Sequence, residues 1–230
     1  MLKYILKRIL LAIVTIWAVA TLTFFLMNLV PGGPFLSEKA ISPQATAALE
    51  AKYGLDKPIL QRYTTYMLDA AHGDFGDSLK KRGWTVSAII ATKFPVSARV
   101  GGISVLISLI LGVTLGSIAA LKRGKFLDSL ISVISTCGIA VPSFVICTVL
   151  LYFFGVKLKV LPTIGLNTWK NYIMPVMALS FYPTAYIMRL MRSSMLDVLG
   201  QDYMRTAKAK GVSGRKQLFK HALRNAILPV

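Results

Sequence analysis

Four stretches of this chain contain no charged residue: 9–30, 100–121, 129–156 and 171–188. About 20 apolar residues in helical form cross a bilayer core. With no water there, only a helix or a closed barrel satisfies its own backbone polar groups. Runs of this length therefore predict an all-α, polytopic transmembrane helical bundle. Composition agrees: 55% of residues are hydrophobic and 16% charged, against about 25% charged in ordinary soluble domains. The net charge of +18 lies between the uncharged runs rather than on one basic face. That is the pattern of membrane-flanking charge, not of a nucleic-acid surface.

Lys3, Lys7 and Arg8 precede the first run, which is too long for the apolar core of a secretory signal peptide. It reads as a retained helix closed by Pro31-Gly32-Gly33-Pro34, since neither residue type extends a helix. Residues 35–95 are mixed in charge and predict a small external cap. Its parts are a short helix over 45–53 with Gly54 past its end, a second starting at Asp56-Lys57-Pro58, and a turn-rich knot over 72–78.

The runs hold little that resembles chemistry. Cys137 and Cys147 lie ten residues apart in one run, about 15 Å of helical rise and too far for a disulfide. His72 and His221 have no Cys or His neighbours, so no metal is expected. His-Glu-x-x-His and Gly-x-Ser-x-Gly are both missing, which argues against an intramembrane enzyme. A secondary transporter, the other class to weigh, usually carries ionisable residues inside its spans, and these four runs have none.

Ser104, Ser108, Gly112, Gly116 and Ala120 recur every fourth residue, which puts small side chains in one seam along a helix. Such a seam lets another backbone approach closely in lipid. Pro142 interrupts the third run, and Pro175 and Pro183 the fourth. Carbonyls freed by proline need partners in protein or water. Ser135, Thr136, Ser143, Ser180 and Thr184 are therefore candidates to line a translocation path, or else to hydrogen-bond their own helices.

Basic residues in short loops set orientation. The amino terminus carries three, the 122–125 loop three and the 189–224 segment nine, together 15 of the 27 in the chain. That side is expected to be cytoplasmic, with the cap outside and a cytoplasmic loop over 191–225. The fourth membrane helix is placed at 171–190, after spans at 9–30, 100–121 and 129–156. Residues 226–230 open a further apolar run, the start of a fifth span, and the expectation is of a truncated chain.

The helix leaving the fourth run is expected to end at Gly200. Asp202 is expected to cap a short helix that stops at Gly211. Tyr203, Ala207 and Lys210 fall near one face of it. After Val212-Ser213-Gly214, the residues Leu218, Phe219, Ala222, Leu223 and Ala226 share a face opposite Lys216, Lys220 and Arg224. A basic amphipathic segment lies on anionic lipid or docks a partner; the glycine pivot between two short helices favours docking.

The segment 202–230 resembles the cytoplasmic loop of binding-protein-dependent ABC transporter permeases. It looks most like the first permease subunit of the peptide/nickel (dipeptide/oligopeptide) subfamily. The general family places Glu-Ala-Ala shortly before a glycine; here Arg205, Thr206 and Ala207 precede Gly211, and Leu228-Pro229 closes the loop. Because Arg205 replaces the acid, a Glu-based contact does not carry over. Pro31-Gly32-Gly33-Pro34 and Gly73-Asp74-Phe75-Gly76-Asp77-Ser78 resemble the subfamily too. The resemblance implies six spans, of which the last two are lacking here. It implies a bacterial inner-membrane importer subunit for dipeptides or oligopeptides, with nickel chelates or glutathione as the alternative cargo. It also implies a second permease, two cytoplasmic ATPase subunits that hold the ATP and Mg, and an extracytoplasmic binding protein. This chain has no phosphate loop of its own and is expected to be neither an enzyme nor a cofactor binder. The docking residues implied are Tyr203, Arg205, Ala207, Lys208, Gly211, Val212 and Ser213.

Overall fold

Helices dominate because the uncharged runs can satisfy their backbone polar groups only along their own length. The computed structural model describes residues 1–29, 51, 54–81 and 83–230. Among these residues the regular structure is helical, apart from one isolated antiparallel bridge between Asp77 and Thr85. The proline–glycine stop at 31–34 and nearly all of the expected 45–53 helix lie outside the described residues. The chain forms two units, Met1–Phe94 and Pro95–Val230.

In the first unit α1 (Leu2–Leu29) buries none of its residues. An apolar helix that is exposed over most of its length suits lipid rather than water. Near its end it meets α2 (Ile59–Ala71) through aromatic rings, with Phe24 and Phe25 at 5.5 and 5.4 Å from Tyr63. Thr21 Oγ1 and the Tyr63 hydroxyl share a hydrogen bond of 2.8 Å. The knot after α2 turns at Gly73 and Gly76, both at positive φ. Asp74 accepts the Gly76 N–H at 2.9 Å, and the Ser78 N–H donates to the Trp84 carbonyl at 2.8 Å.

α3 (Val86–Leu121) begins in the first unit and ends in the second. It starts well before residue 100, taking in Lys93, Pro95 and Arg99. Thr85 Oγ1 caps it by accepting the Ala88 N–H at 3.1 Å. α1 and α3 are the two described helices that alone are long and apolar enough to cross a membrane.

The run 129–156, expected as one span, is two helices. α4 (Phe126–Ala140) and α5 (Ser143–Leu150), which is prolonged by wider π turns over Leu151–Lys157, meet at 100°. Proline removes a donor at position 142 and forces the preceding residue out of helical geometry; Val141 is extended, at φ −85° and ψ 122°. Pro175 and Pro183 do not interrupt α6 (Trp169–Leu199). α6 is the axis of this unit. It buries Val176 and Ser180 towards α3 and Ala185 towards α4, and packs on both α4 and α5.

The five small residues of α3 lie buried along this axis. A Cβ added at Gly112 would fall 2.6 Å from Ile187 Cγ2, and one at Gly116 would fall 2.5 Å from the Met188 carbonyl oxygen. Only hydrogen fits at either place. Ser104 and Ser108 donate across the helix pair to the carbonyls of Val176 and Ser180, at 3.4 and 3.0 Å.

Candidate functional site

α6 ends at Leu199, and Gly200 and Gln201 carry the chain out of the helix. α7 (Asp202–Ala209) follows, with Gln201 at its cap position and Asp202 already in the first turn, so the helix starts one residue earlier than the sequence suggested. Its end is a Schellman motif. The Gly211 N–H donates to the Lys208 carbonyl at 3.0 Å and the Val212 N–H to the Ala207 carbonyl at 3.1 Å. Gly211 sits at φ +73°, which L side chains avoid, although a Cβ there would meet nothing within 4 Å. The demand for glycine at this pivot is one of backbone conformation, not of space.

The returning helical stretch has three pieces, Gly214–Lys216, a wider π-wound Gln217–Leu223, and Arg224–Ala226. Gln217 Nε2 donates to the Val212 carbonyl at 2.5 Å, and Asn225 Nδ2 to the Tyr203 hydroxyl at 3.0 Å. These bonds tie the two arms into a hairpin. Its inner surface is apolar: Met204, Ala222 and Ala226 are buried with Met191 and Met195 of α6 and Ala120 of α3. Arg205, Lys208, Lys210, Arg215, Lys216, Lys220 and Arg224 are exposed. The hairpin is thus anchored inward by apolar side chains and carries its cations on the outer face. Arg205 pairs with Asp202 at 3.6 Å, but both are so exposed that the pair adds little.

The expected docking residues are thus not equivalent. Arg205, Lys208, Gly211 and Ser213 are exposed, Tyr203 is 41% exposed, and Val212 is partly buried. Ala207 is buried, so its side chain is not on the exposed outer face. Phe219, expected on the inner face, is exposed, because the wider turns rotate it out of register with Ala222.

The expected path residues separate into three places. Ser135 and Thr136 line a groove of about 310 Å³ together with Ser132, Arg189, Arg192 and Ser193. Ser143 lines another, about 370 Å³, beside Pro142, Tyr182 and Pro183. Ser180 belongs to the α3–α6 contact, and the Thr184 carbonyl lies against Gly112. Ser135 and Thr136 both donate to the Ser132 carbonyl, and Ser180 donates to Met177, all within their own helices. No group of His, Cys, Asp or Glu suited to a metal occurs among the described residues.

Residues 112–230 match the family described as binding-protein-dependent transport system inner membrane component, and residues 1–100 match that system's amino-terminal membrane component. The chain belongs to this family. It is 44% identical to the oligopeptide transport system permease protein OppB of Salmonella typhimurium, over all of this chain and 76% of that one. It is 43% identical to the protein of the same name from Haemophilus influenzae, over 100% of this chain and 76% of the relative. It is 42% identical to the dipeptide transport system permease protein DppB of Bacillus subtilis, over 100% and 75%. As a membrane component of this family, the chain is a multi-pass inner-membrane protein.

Two features of this transport component escaped sequence reasoning. One is the methionine core of Met191, Met195 and Met204, which joins the hairpin to α6. The other is Asp128, whose carboxylate takes both arms of the Arg192 guanidinium, at 2.6 Å from Nε and 2.9 Å from Nη2. A signal was present: Asp128 is the one acid between Asp77 and Asp197, and it stands at the edge of an uncharged run.

Proposed function

We propose that this chain is the permease subunit of an ATP-driven importer of dipeptides or oligopeptides. Cargo comes from an extracytoplasmic binding protein, and the chain works beside a second permease and two cytoplasmic ATPases. The observation that carries the cargo is identity above 40% over the whole chain to proteins named as oligopeptide and dipeptide permeases. The hairpin supplies the mechanical part. Its apolar face is fixed to α6 and its cationic face is open, so a partner that grips the outer face moves α6 with it. Closure of the ATPases on ATP would pull the hairpin, and the difference in contact energy between the two states sets the coupling. Tyr203, Arg205, Lys208, Gly211, Val212 and Ser213 form the docking surface, and Ala207 supports it from beneath. The amino terminus, the 122–125 loop and the hairpin face the cytoplasm.

The test is uptake of labelled peptides into proteoliposomes that hold the assembled importer, with and without ATP. ATP-dependent uptake of di- or oligopeptides is expected. Uptake of glutathione or nickel chelates in place of peptide would overturn the cargo, and uptake driven by an ion gradient without ATP would overturn the mechanism.

A further inference from the structure

Arg192, which lines the groove beside α4 and α6, forms a charge pair with Asp128 that the docking function does not use. Asp128 lies in the first turn of α4, with its side chain 8% exposed; Arg192 lies on α6, at 31%. The geometry is the two-pronged fork that arginine makes and lysine cannot. A third bond holds the same carboxylate, from the Gly124 N–H at 2.9 Å, and Gly124 reaches that position at φ +73°. The loop between α3 and α4 is therefore folded back onto the pair.

The position of the pair matters as much as its strength. Met191 precedes Arg192 and Met195 lies one turn on, and these two methionines are the residues that pack on Met204, Ala222 and Ala226 of the hairpin. α6 thus grips the hairpin with one face and Asp128 with the adjacent one. Further along, α4 touches α6 through small or apolar contacts. Ile131 packs with Met188, and a Cβ on Gly138 would fall 2.6 Å from that of Ala185. Those contacts are close-packed but non-directional, whereas the forked ion pair fixes both distance and orientation between the two helices. At the far end of α4 stands the 100° break into α5.

We propose that Asp128 and Arg192 are a positioning pair that makes α4 move with the hairpin, so that force arriving at α7 reaches the bent α4–α5 segment. The inference rests on the docking role given above to the hairpin. Without the pair, α6 shifts under the ATPases while α4 lags, and ATP is consumed without a matching change in the path.

The test uses the complete importer, with Cys137→Ser and Cys147→Ser as background. Spin labels go on Phe126→Cys, at the exposed start of α4, and on Arg215→Cys, on the exposed hairpin. With the pair intact, the label distance is expected to be the same in nucleotide-free and ATP-trapped states. With Asp128→Asn it is expected to differ between them. In the same complexes, Asp128→Asn is expected to raise ATP consumed per peptide about fivefold while ATPase activity stays within about twofold. The exchange Asp128→Arg with Arg192→Asp is expected to recover part of the coupling. If Asp128→Asn does not assemble, Arg192→Lys keeps the charge but loses the fork, and the same readouts decide. Equal distances in both states of every variant would overturn the proposal, as would uptake and ATPase activity falling by the same factor. If the intact importer moves no peptide, the cargo reading fails while the distance measurement still judges the pair.

Discussion

Ser108 on α3 donates its hydroxyl hydrogen to the carbonyl of Ser180 on α6 at 3.0 Å, and Ser108 is fully buried. It also lies 2.8 Å from the Ser104 carbonyl on its own helix. The hydroxyl therefore sits between two backbones that only a small residue lets come so close. Cross-helix bonds of this kind are worth about 0.6 kcal/mol each in membrane proteins. Most of the α3–α6 contact must then come from the close approach itself.

Enlarging the glycines should therefore cost more than removing the hydroxyls. Gly116→Val is expected to destabilise the purified complex by about 1–3 kcal/mol through overpacking, because its Cβ would meet the Met188 carbonyl. Ser108→Ala should cost less than 1 kcal/mol, in the range of a single bond of this kind. Thermal melting in detergent measures both. Equal melting temperatures for Gly116→Val and the parent would refute the packing account.

At Gly211 the penalty arises from φ +73° rather than from crowding. An L residue in that region costs about 1–2 kcal/mol, with asparagine the best tolerated. Gly211→Val should distort the pivot and uncouple ATP hydrolysis from peptide uptake, while Gly211→Asn should retain most coupling. Parallel ATPase and uptake assays compare them; wild-type uptake by Gly211→Val would count against the pivot.

Met195 is fully buried between α6 and the hairpin. Met195→Ala should cost about 2–5 kcal/mol. In a double-mutant cycle with Met204→Ala the losses should fail to add, by about 0.5–3 kcal/mol, since the two share one cluster. Denaturant melts monitored by hairpin-specific proteolysis provide the numbers, and strict additivity would separate the hairpin from α6.

Orientation is open to a labelling test. With both native cysteines replaced, Arg215→Cys should react with a membrane-impermeant maleimide in inverted vesicles and not in intact spheroplasts. Lys157→Cys should show the opposite pattern. Reaction of Arg215→Cys from outside would reverse the assignment and remove the hairpin from the ATPases.

The limits of sequence reading are visible in particular residues. The spacing Ser104, Ser108, Gly112, Gly116, Ala120 marked one face of α3, because helical period is a local property of the chain. It did not name α6 as the partner, since which helix fills a seam depends on contacts 72 residues away in the chain. Pro142 announced a disturbance, but not its 100° size, which is set by what α4 and α5 pack against. Spacing groups Ala207 with Tyr203 and Lys210, and the resemblance implies a docking role for it, whereas Met204 and Ala207 are the buried residues of α7. Spacing brings residues near one another on a helix, but packing alone decides which of them are buried, as Ala207 is and Tyr203 is not.

Charge-free length determined the class of this protein before any coordinate, because the energy of exposing a backbone to lipid is a local quantity. The glycine at 211 and the hairpin it allows were likewise local. The pairing of Asp128 with Arg192, 64 positions apart in the chain, was decided by the tertiary structure alone. A carboxylate selects its partner by where the helices place it, and helix placement follows from the sum of close-packed contacts that no stretch of sequence contains.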